Sequence, residues 1–315
     1  MTLTLVVPTH DKLTYLRATL ASLAHRIGEA PGAEVVVVDD GCSDGTTEHL
    51  AALAARHAWL RTVRTPHVGL AGARNAGAQA ARGTHVLFVD DDVVPGPGCL
   101  AALDAHVART PRAVHIGRLR NVRIGAVPAL LDAAAATSFA GFPALDAHTE
   151  YHSMYDAARV LFAEAPNGST PAAWWAVVTG GNLCIPRAAL AAAGGFDTSF
   201  QHWGPEDADL CYRLFLAGVP ARFHDDCPLF HLDHPRDARA IHVAMMRNAT
   251  LLYKRHGKPP ELLAYLRFFN GMMSLREFDA TVAERHGLAA MPVRDFHVTM
   301  RDVTRQEHVI AWGRA

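Results

Sequence analysis

Two clusters of aspartates stand at the ends of apolar runs, Val35-Val36-Val37-Val38-Asp39-Asp40-Gly41 and Val86-Leu87-Phe88-Val89-Asp90-Asp91-Asp92. A short apolar run of this kind is a buried strand, and open α/β sheets bind ligands at the carboxyl ends of their strands. Carboxylates delivered there can hold a cationic ligand, accept hydrogen bonds from sugar hydroxyls, or ligate a hard divalent ion. Glu206 and Asp207 form a third acidic group in the first turn of a helical pattern that runs to about Ala217. The helix dipole also favours acids at that place, so this pair alone does not separate chemistry from capping.

The elements that must position these groups alternate. Strand patterns over 3–8, 34–39 and 86–90 are interleaved with helical patterns over 15–24, 46–57 and 72–81. That alternation predicts βαβ units: a Rossmann-like, doubly wound, mostly parallel sheet with helices on both faces. Gly41 and Gly45 let the chain turn tightly beside a ligand, and Ser43 or Asp44 caps the following helix. Residues 118–175 are rich in Ala, aromatics, Pro and Gly with little periodicity, and read as an insertion that lines or covers a site. A strand over 179–186 and a short helix over 187–193 follow. Three amphipathic helices from residue 236 onward, around 241–252, 261–271 and 275–285, predict a C-terminal helical appendage to an α/β core.

Composition narrows the function class. The chain has 315 residues, a formal net charge of −1 and half its residues hydrophobic, so no bulk basic field points to nucleic acid. Five cysteines without a CxxC spacing argue against a disulfide framework or structural zinc and favour a reducing cytoplasm. The N-terminus lacks the basic region and cleavage site of a secretion signal. The most membrane-like stretch, 124–145, is mostly alanine broken by Pro128, Asp132 and Pro143, which predicts a helix of the globular part rather than a transmembrane span. Peripheral membrane contact and homo-oligomerisation stay open. The sequons at Asn167 and Asn248 carry no weight in such a protein.

In chain order the motifs are Val7-Pro8-Thr9-His10-Asp11, Val38-Asp39-Asp40-Gly41-Cys42-Ser43-Asp44-Gly45-Thr46, Gly69-Leu70-Ala71-Gly72-Ala73-Arg74-Asn75-Ala76-Gly77, Phe88-Val89-Asp90-Asp91-Asp92, Gly180-Gly181-Asn182 and Trp203-Gly204-Pro205-Glu206-Asp207-Ala208-Asp209-Leu210. Together they resemble the family 2 glycosyltransferases of GT-A fold, over about residues 1–235. The resemblance implies a GT-A domain with a nucleotide-binding half, 1–117, and an acceptor half, 118–235, followed by the helical extension 236–315.

It also implies roles. A metal-dependent, inverting transfer from a nucleotide-sugar is expected, with Asp90 on the ribose, Asp92 on Mn²⁺ or Mg²⁺ and Asp91 between them. Asp39 would accept from N3 of uracil, with Pro8 and Thr9 bordering the base, which favours a UDP-sugar. Asp11, Asp40, Arg74, Asn75, Gly181 and Asn182 complete the donor site by position in their motifs. Asp207 is the expected base that takes the proton of the acceptor hydroxyl, with Glu206 positioning hydroxyls and Trp203 offering a flat face to a sugar ring. Trp-Gly-Pro-Glu-Asp is similar to the form found in galactosyl- and N-acetylgalactosaminyltransferases. His231 first and His234 second are the expected imidazole ligands.

A membrane polysaccharide synthase is not expected, since no Gln-x-x-Arg-Trp segment follows the Glu-Asp motif. A nucleotidyltransferase would want a Gly-rich basic phosphate loop where Pro8-Thr9-His10-Asp11 stands. A non-catalytic relative would be expected to lose Asp92, Glu206 or Asp207. The acceptor stays undetermined between glycan, lipid-linked glycan and natural product; Tyr151, Tyr155, Trp174 and Trp175 either shape its pocket or belong to the core.

Overall fold

The computed structural model describes residues 3–136, 145–165 and 168–299. The Asn167 sequon, residues 137–144 of the middle segment and the chain from 300 onward lie outside them. In order, the elements are β1 (Leu3–Thr9), α1 (Leu13–Arg26), β2 (Glu34–Asp39), α2 (Thr46–Ala54), β3 (Leu60–Arg64), α3 (Gly69–Ala80), β4 (His85–Phe88), β5 (Val93–Pro95), α4 (Cys99–Arg109), β6 (Val114–Val122) and α5 (Val127–Ala136). They continue with β7 (Thr149–Glu150), α6 (Ser153–Ala163), β8 (Leu183–Pro186), α7 (Arg187–Ala192), α8 (Glu206–Leu216), β9 (Ala221–Leu232), α9 (Ala238–Arg255), α10 (Pro260–Phe269) and α11 (Leu275–His286).

The strands form one nine-stranded sheet in the order β3-β2-β1-β4-β8-β6-β9-β5, with β7 beside β6. β1 to β4 run parallel; β8 is antiparallel to both β4 and β6, so β6 and its parallel partner β9 run with the first four. Only β5, β7 and β8 oppose them. The expected α/β fold with a mostly parallel sheet therefore holds. β1 is buried at every position because it is covered on both faces, which its uninterrupted apolar run anticipates. Helix α3 packs so closely on β1 and β2 that a Cβ at Gly77 would collide with Val6 and Val38. Between β1 and β4 the strand order changes direction, and the crevice at such a switch point is where an open α/β sheet binds its ligand.

The middle segment is more regular than expected. Residues 118–122 continue β6, whose apolar pattern is interrupted by His115, Arg118, Arg120 and Asn121, and Ser153–Ala163 is a helix. The strand expected over 179–186 starts only at Leu183, because Gly180–Asn182 makes a 3₁₀ turn. Trp174 and Trp175 are fully buried core residues. Trp175 sits among Tyr212, Tyr265 and Phe278, so the C-terminal helices share an apolar core with the sheet. Helix α5 buries Val127, Leu130 and Leu131, and no helix among the described residues is long and apolar enough to cross a membrane. All five cysteines are buried and unpaired.

Candidate active site

A cleft of about 680 Å³ opens at the carboxyl ends of β1, β2 and β4 and reaches α8, α9 and α10. Of the sequence-predicted residues it is lined by Pro8, Thr9, Asp40, Arg74, Asp90, Asp91, Asp92, Gly181, Trp203, Glu206, Asp207, His231 and His234. Asp11, Asp39, Asn75 and Asn182 do not line it and instead hold its walls. Asp11 accepts from the Ser43 N–H at 2.6 Å, Asn75 bonds the backbone of Phe196 in both directions, and Asn182 packs against Gly117.

Asp39 differs most from expectation. Its Oδ1 accepts from the Cys42 N–H at 2.8 Å, and its Oδ2 accepts from the Thr47 hydroxyl and lies 3.3 Å from Arg64. Successive residues at a strand end point to opposite sides, so Asp40, not Asp39, faces the cleft. Asp40 accepts from the N–H groups of Val68 and Gly69 at 2.7 and 2.8 Å. Beside it stand His10 and His67, rings 4.0 Å apart, which sequence reasoning did not assign to the site.

The acidic run turns from β4 into β5, with the Asp90 carbonyl accepting from the Val93 N–H. The three side chains diverge. Asp90 Oδ1 accepts from Arg74 at 2.8 Å. Asp91 is buried against the Thr9 hydroxyl, and burial pushes its carboxyl up to about 7 against the pull of the Lys12 ammonium. Burial would also raise Asp92, but the Lys12 ammonium against its Oδ2 opposes this, and the carboxyl is held well below the usual range. Lys12 Nζ lies 2.7 Å from Asp92 Oδ2.

Ligand atoms of Asp92, His231 and His234 all lie within 4.8 Å of one another. Their second partners orient the rings. Asn121 turns its amide N–H toward Glu150 and Asp233, so its carbonyl accepts from His231 Nδ1 at 2.9 Å. His234 Nδ1 donates to the Pro235 carbonyl at 3.1 Å. These assignments, made from the hydrogen-bond partners, leave both Nε2 lone pairs facing Asp92. Burial keeps His231 neutral, pushing it down to about 3. Two imidazoles and one carboxylate are a donor set that fits Mn²⁺ or a similar divalent ion. Each lone pair is meanwhile met by a cation: Lys12 Nζ stands 3.0 Å from His234 Nε2, and Arg236 donates to His231 Nε2 at 2.7 Å.

Across the cleft, Arg74 ties the strand end to helix α8. It is 2% exposed and bridges Asp90 to Glu206, donating to Glu206 Oε1 at 2.7 Å. It is thus a buried link rather than a free hand for the nucleotide. Asp207 Oδ2 accepts from the Gly180 N–H at 3.0 Å. Burial, then the neighbouring Glu206 charge, push Asp207 up to about 7, with Arg74 opposing them. Gly180 and Gly181 are demanded by this packing: a Cβ on Gly180 would stand 2.6 Å from Arg74 Cζ, and one on Gly181 2.7 Å from Asp90 Oδ2. Trp203 is 37% exposed at the rim, Tyr155 lines the cleft floor, and Asp225 pairs with Arg118 away from it. Lys12 and Asn121 carried no sequence signal, because Asp92, His234 and His231, which they meet, lie 80 to 222 residues away along the chain, whereas Arg236 stands only five residues after His231 and that spacing could have found it.

Residues 4–158 match the family model of glycosyl transferase family 2, and residues 162–235 match that of the N-terminal domain of galactosyltransferase. Validoxylamine A glucosyltransferase of Streptomyces hygroscopicus subsp. jinggangensis is 27% identical over 289 residues, covering 84% of this chain and 62% of that protein. The chain thus spans about three fifths of the length of this relative. Among solved structures, S. aureus TarS 1–349 in complex with UDP has a TM-score of 0.58 at 18% identity, covering 87% of this chain and 73% of that one. The mannosyltransferase PcManGT from Pyrobaculum calidifontis, in complex with GDP-Man and Mn²⁺, has a TM-score of 0.58 at 20% identity, covering 92% and 76%. At these identities the two structures bear on the fold, which is the GT-A type expected from the motifs.

Proposed function

The chain belongs, over residues 4–158, to glycosyl transferase family 2, and from that premise we propose that it is a metal-dependent inverting glycosyltransferase using a UDP-sugar. One observation carries the reading: a single cleft joins the Asp92, His231 and His234 donor set to Glu206 and Asp207 through the Arg74 bridge. Its lining includes seven carboxylates against three cations, Lys12, Arg74 and Arg236. A diphosphate entering so acidic a cleft needs added positive charge. A divalent ion held by Asp92, His231 and His234 would supply it by neutralising the leaving diphosphate, and the imidazoles favour Mn²⁺ over Mg²⁺.

Asp207, poised near neutrality, accepts the proton of the acceptor hydroxyl as the glycosidic bond forms. Arg74 fixes Glu206 beside it, where the free carboxylate oxygen orients hydroxyls. Trp203 offers its face to a sugar ring. Asp40 with His10 and His67 borders the nucleobase, the place expected for Asp39. UDP in the TarS complex supports the donor, and GDP-Man in the mannosyltransferase complex makes guanine the alternative to test. The extension α9–α11 reaches the acceptor half, since Ile241, Met245 and Phe269 form an apolar wall of the cleft. The acceptor is a hydroxyl of a glycan or natural product; the name of the glucosyltransferase relative favours the latter. Five unpaired thiols suit a cytoplasmic setting.

The test is a thermal-shift panel of UDP, GDP, TDP and CDP with and without Mn²⁺, followed by UDP-sugar hydrolysis by wild type and Asp207→Asn. A Mn²⁺-dependent stabilisation by UDP with turnover lost in the variant is expected. Absence of a shift with every nucleotide would sink the transferase reading.

A further inference from the structure

Three acceptor atoms converge in the cleft, Asp92 Oδ2, His234 Nε2 and His231 Nε2, and each already has a cationic partner. A carboxylate and two imidazole lone pairs repel one another at this spacing unless positive charge lies between them. Lys12 supplies most of it, with Nζ at 2.7 Å from Asp92 Oδ2, 3.0 Å from His234 Nε2 and 3.4 Å from Asp91 Oδ1. A divalent ion shared by Asp92 and His234 would bond the same two atoms at about 2.0–2.2 Å, so it cannot sit there together with the ammonium. The two are exclusive occupants of one place.

We propose that Lys12 is the resident counter-cation of the Asp92–His231–His234 site and that a divalent ion binds by displacing its ammonium from Asp92. The inference rests on the reading of this cluster as the metal site. Lys12 is suited to the exchange. It precedes α1 directly after the loop from β1, its side chain is 31% exposed, and its flexible stem lets the head leave without moving the backbone. Asp92, at 4% side-chain exposure, has no such freedom. A displaced ammonium left in an acidic cleft is drawn to an incoming diphosphate. Metal and nucleotide therefore assist each other: the ion frees the lysine, and the diphosphate takes it up. Arg236, bound to His231 Nε2 and 3.5 Å from Asp233, has a carboxylate partner to fall back on when His231 is engaged.

Direct Mn²⁺ binding, read by the free-ion electron paramagnetic resonance signal with and without UDP, tests the exchange without turnover. Wild type should bind Mn²⁺ weakly alone and on the order of tenfold more tightly with UDP. Lys12→Met should bind Mn²⁺ alone about tenfold more tightly than wild type and gain less from UDP than wild type does, while Lys12→Arg, which keeps the charge, should stay near wild type. Mn²⁺ affinity of folded Lys12→Met equal to or weaker than wild type overturns the proposal; if that variant does not fold, Lys12→Gln is read by the same criterion. Failure of the metal-site reading looks different: neither wild type nor the lysine variants bind Mn²⁺ with or without UDP.

Discussion

Replacing Glu206 by Gln should move the acid limb of the pH–rate profile downward, and the structure sets both sign and size. Asp207 stands at about 7 rather than 3.8, first because it is buried and second because the Glu206 carboxylate adjoins it. The Arg74 guanidinium, 2.7 Å from Glu206, pulls the other way. A base must be ionised to act, so wild-type kcat/KM should fall about tenfold per pH unit below about 7. Glu206→Gln keeps an acceptor for Arg74 and removes only the like charge. A unit charge several ångströms away at an effective dielectric of about 20 is worth roughly 1–3 kcal/mol, so the limb should drop by about one to two units. It should stop short of 3.8, because burial persists. Arg74→Met removes the opposing charge and should move the limb up. The assay is UDP-sugar hydrolysis, with water as acceptor, across about pH 5 to 9. Since Glu206 also orients hydroxyls the overall rate will fall too, but the position of the limb does not depend on its height. A wild-type limb near the ordinary carboxylate value, or an upward shift in Glu206→Gln, would refute the assignment of Asp207 as base.

Two further outcomes follow from the same packing. Gly180→Ala places a Cβ 2.6 Å from Arg74 Cζ, and that guanidinium is pinned by Asp90 and Glu206, so it cannot yield cheaply. Donor hydrolysis should fall by about a hundredfold or more, with a stability loss of about 1–3 kcal/mol in denaturant titration; wild-type turnover in this variant would show that the bridge is not needed. Asp91 and Asp207 should also each contribute stability to the ligand-free protein that is lost as pH rises from about 4 to about 7, against the opposite contribution of the buried His115, His224 and His231, which burial pushes down to about 4, 3 and 3. Both carboxyls are raised to about 7, so in that window the folded chain holds protons at these two positions that the unfolded chain has lost. Asp207→Asn should therefore gain roughly 2–4 kcal/mol on wild type between about pH 4 and about pH 7, read as the difference between the two proteins' melting curves across pH.

Elements announced by one uninterrupted signal were legible in the sequence. Residues 34–39 are a strand in full, as four consecutive valines demand, and the last helix begins where expected because Ser274 and Glu277 form a capping box and is stopped by Gly287, at φ 64°. Where packing overrides local preference the reading fails. β6 carries His115, Arg118, Arg120 and Asn121 yet is held as a strand by β8 on one side and β9 on the other. The second helix, expected to reach 57, ends at Ala54 because the chain must turn, with Leu60 N–H bonding the His57 carbonyl, to enter β3.

The acidic residues of the site were legible for a reason that does not extend to their partners. A carboxylate after a buried strand is conspicuous, since it costs free energy there unless something compensates it. The compensating groups need only be near in space, and Lys12 meets Asp92 across 80 residues while Arg74 meets Glu206 across 132. These partners decide the chemistry. Of three adjacent aspartates, Asp91 is pushed up to about 7 while Asp92 is held well below the usual range, and Lys12 stands 2.7 Å from Asp92 against 3.4 Å from Asp91. Asp39 and Asp40 divide in the same way: the pair is visible in the sequence, but only the direction of each side chain makes the second the cleft-facing one. Sequence spacing therefore locates the acids, whereas which of them is a base, a ligand or a wall is a property of counter-charges that the fold alone brings to them.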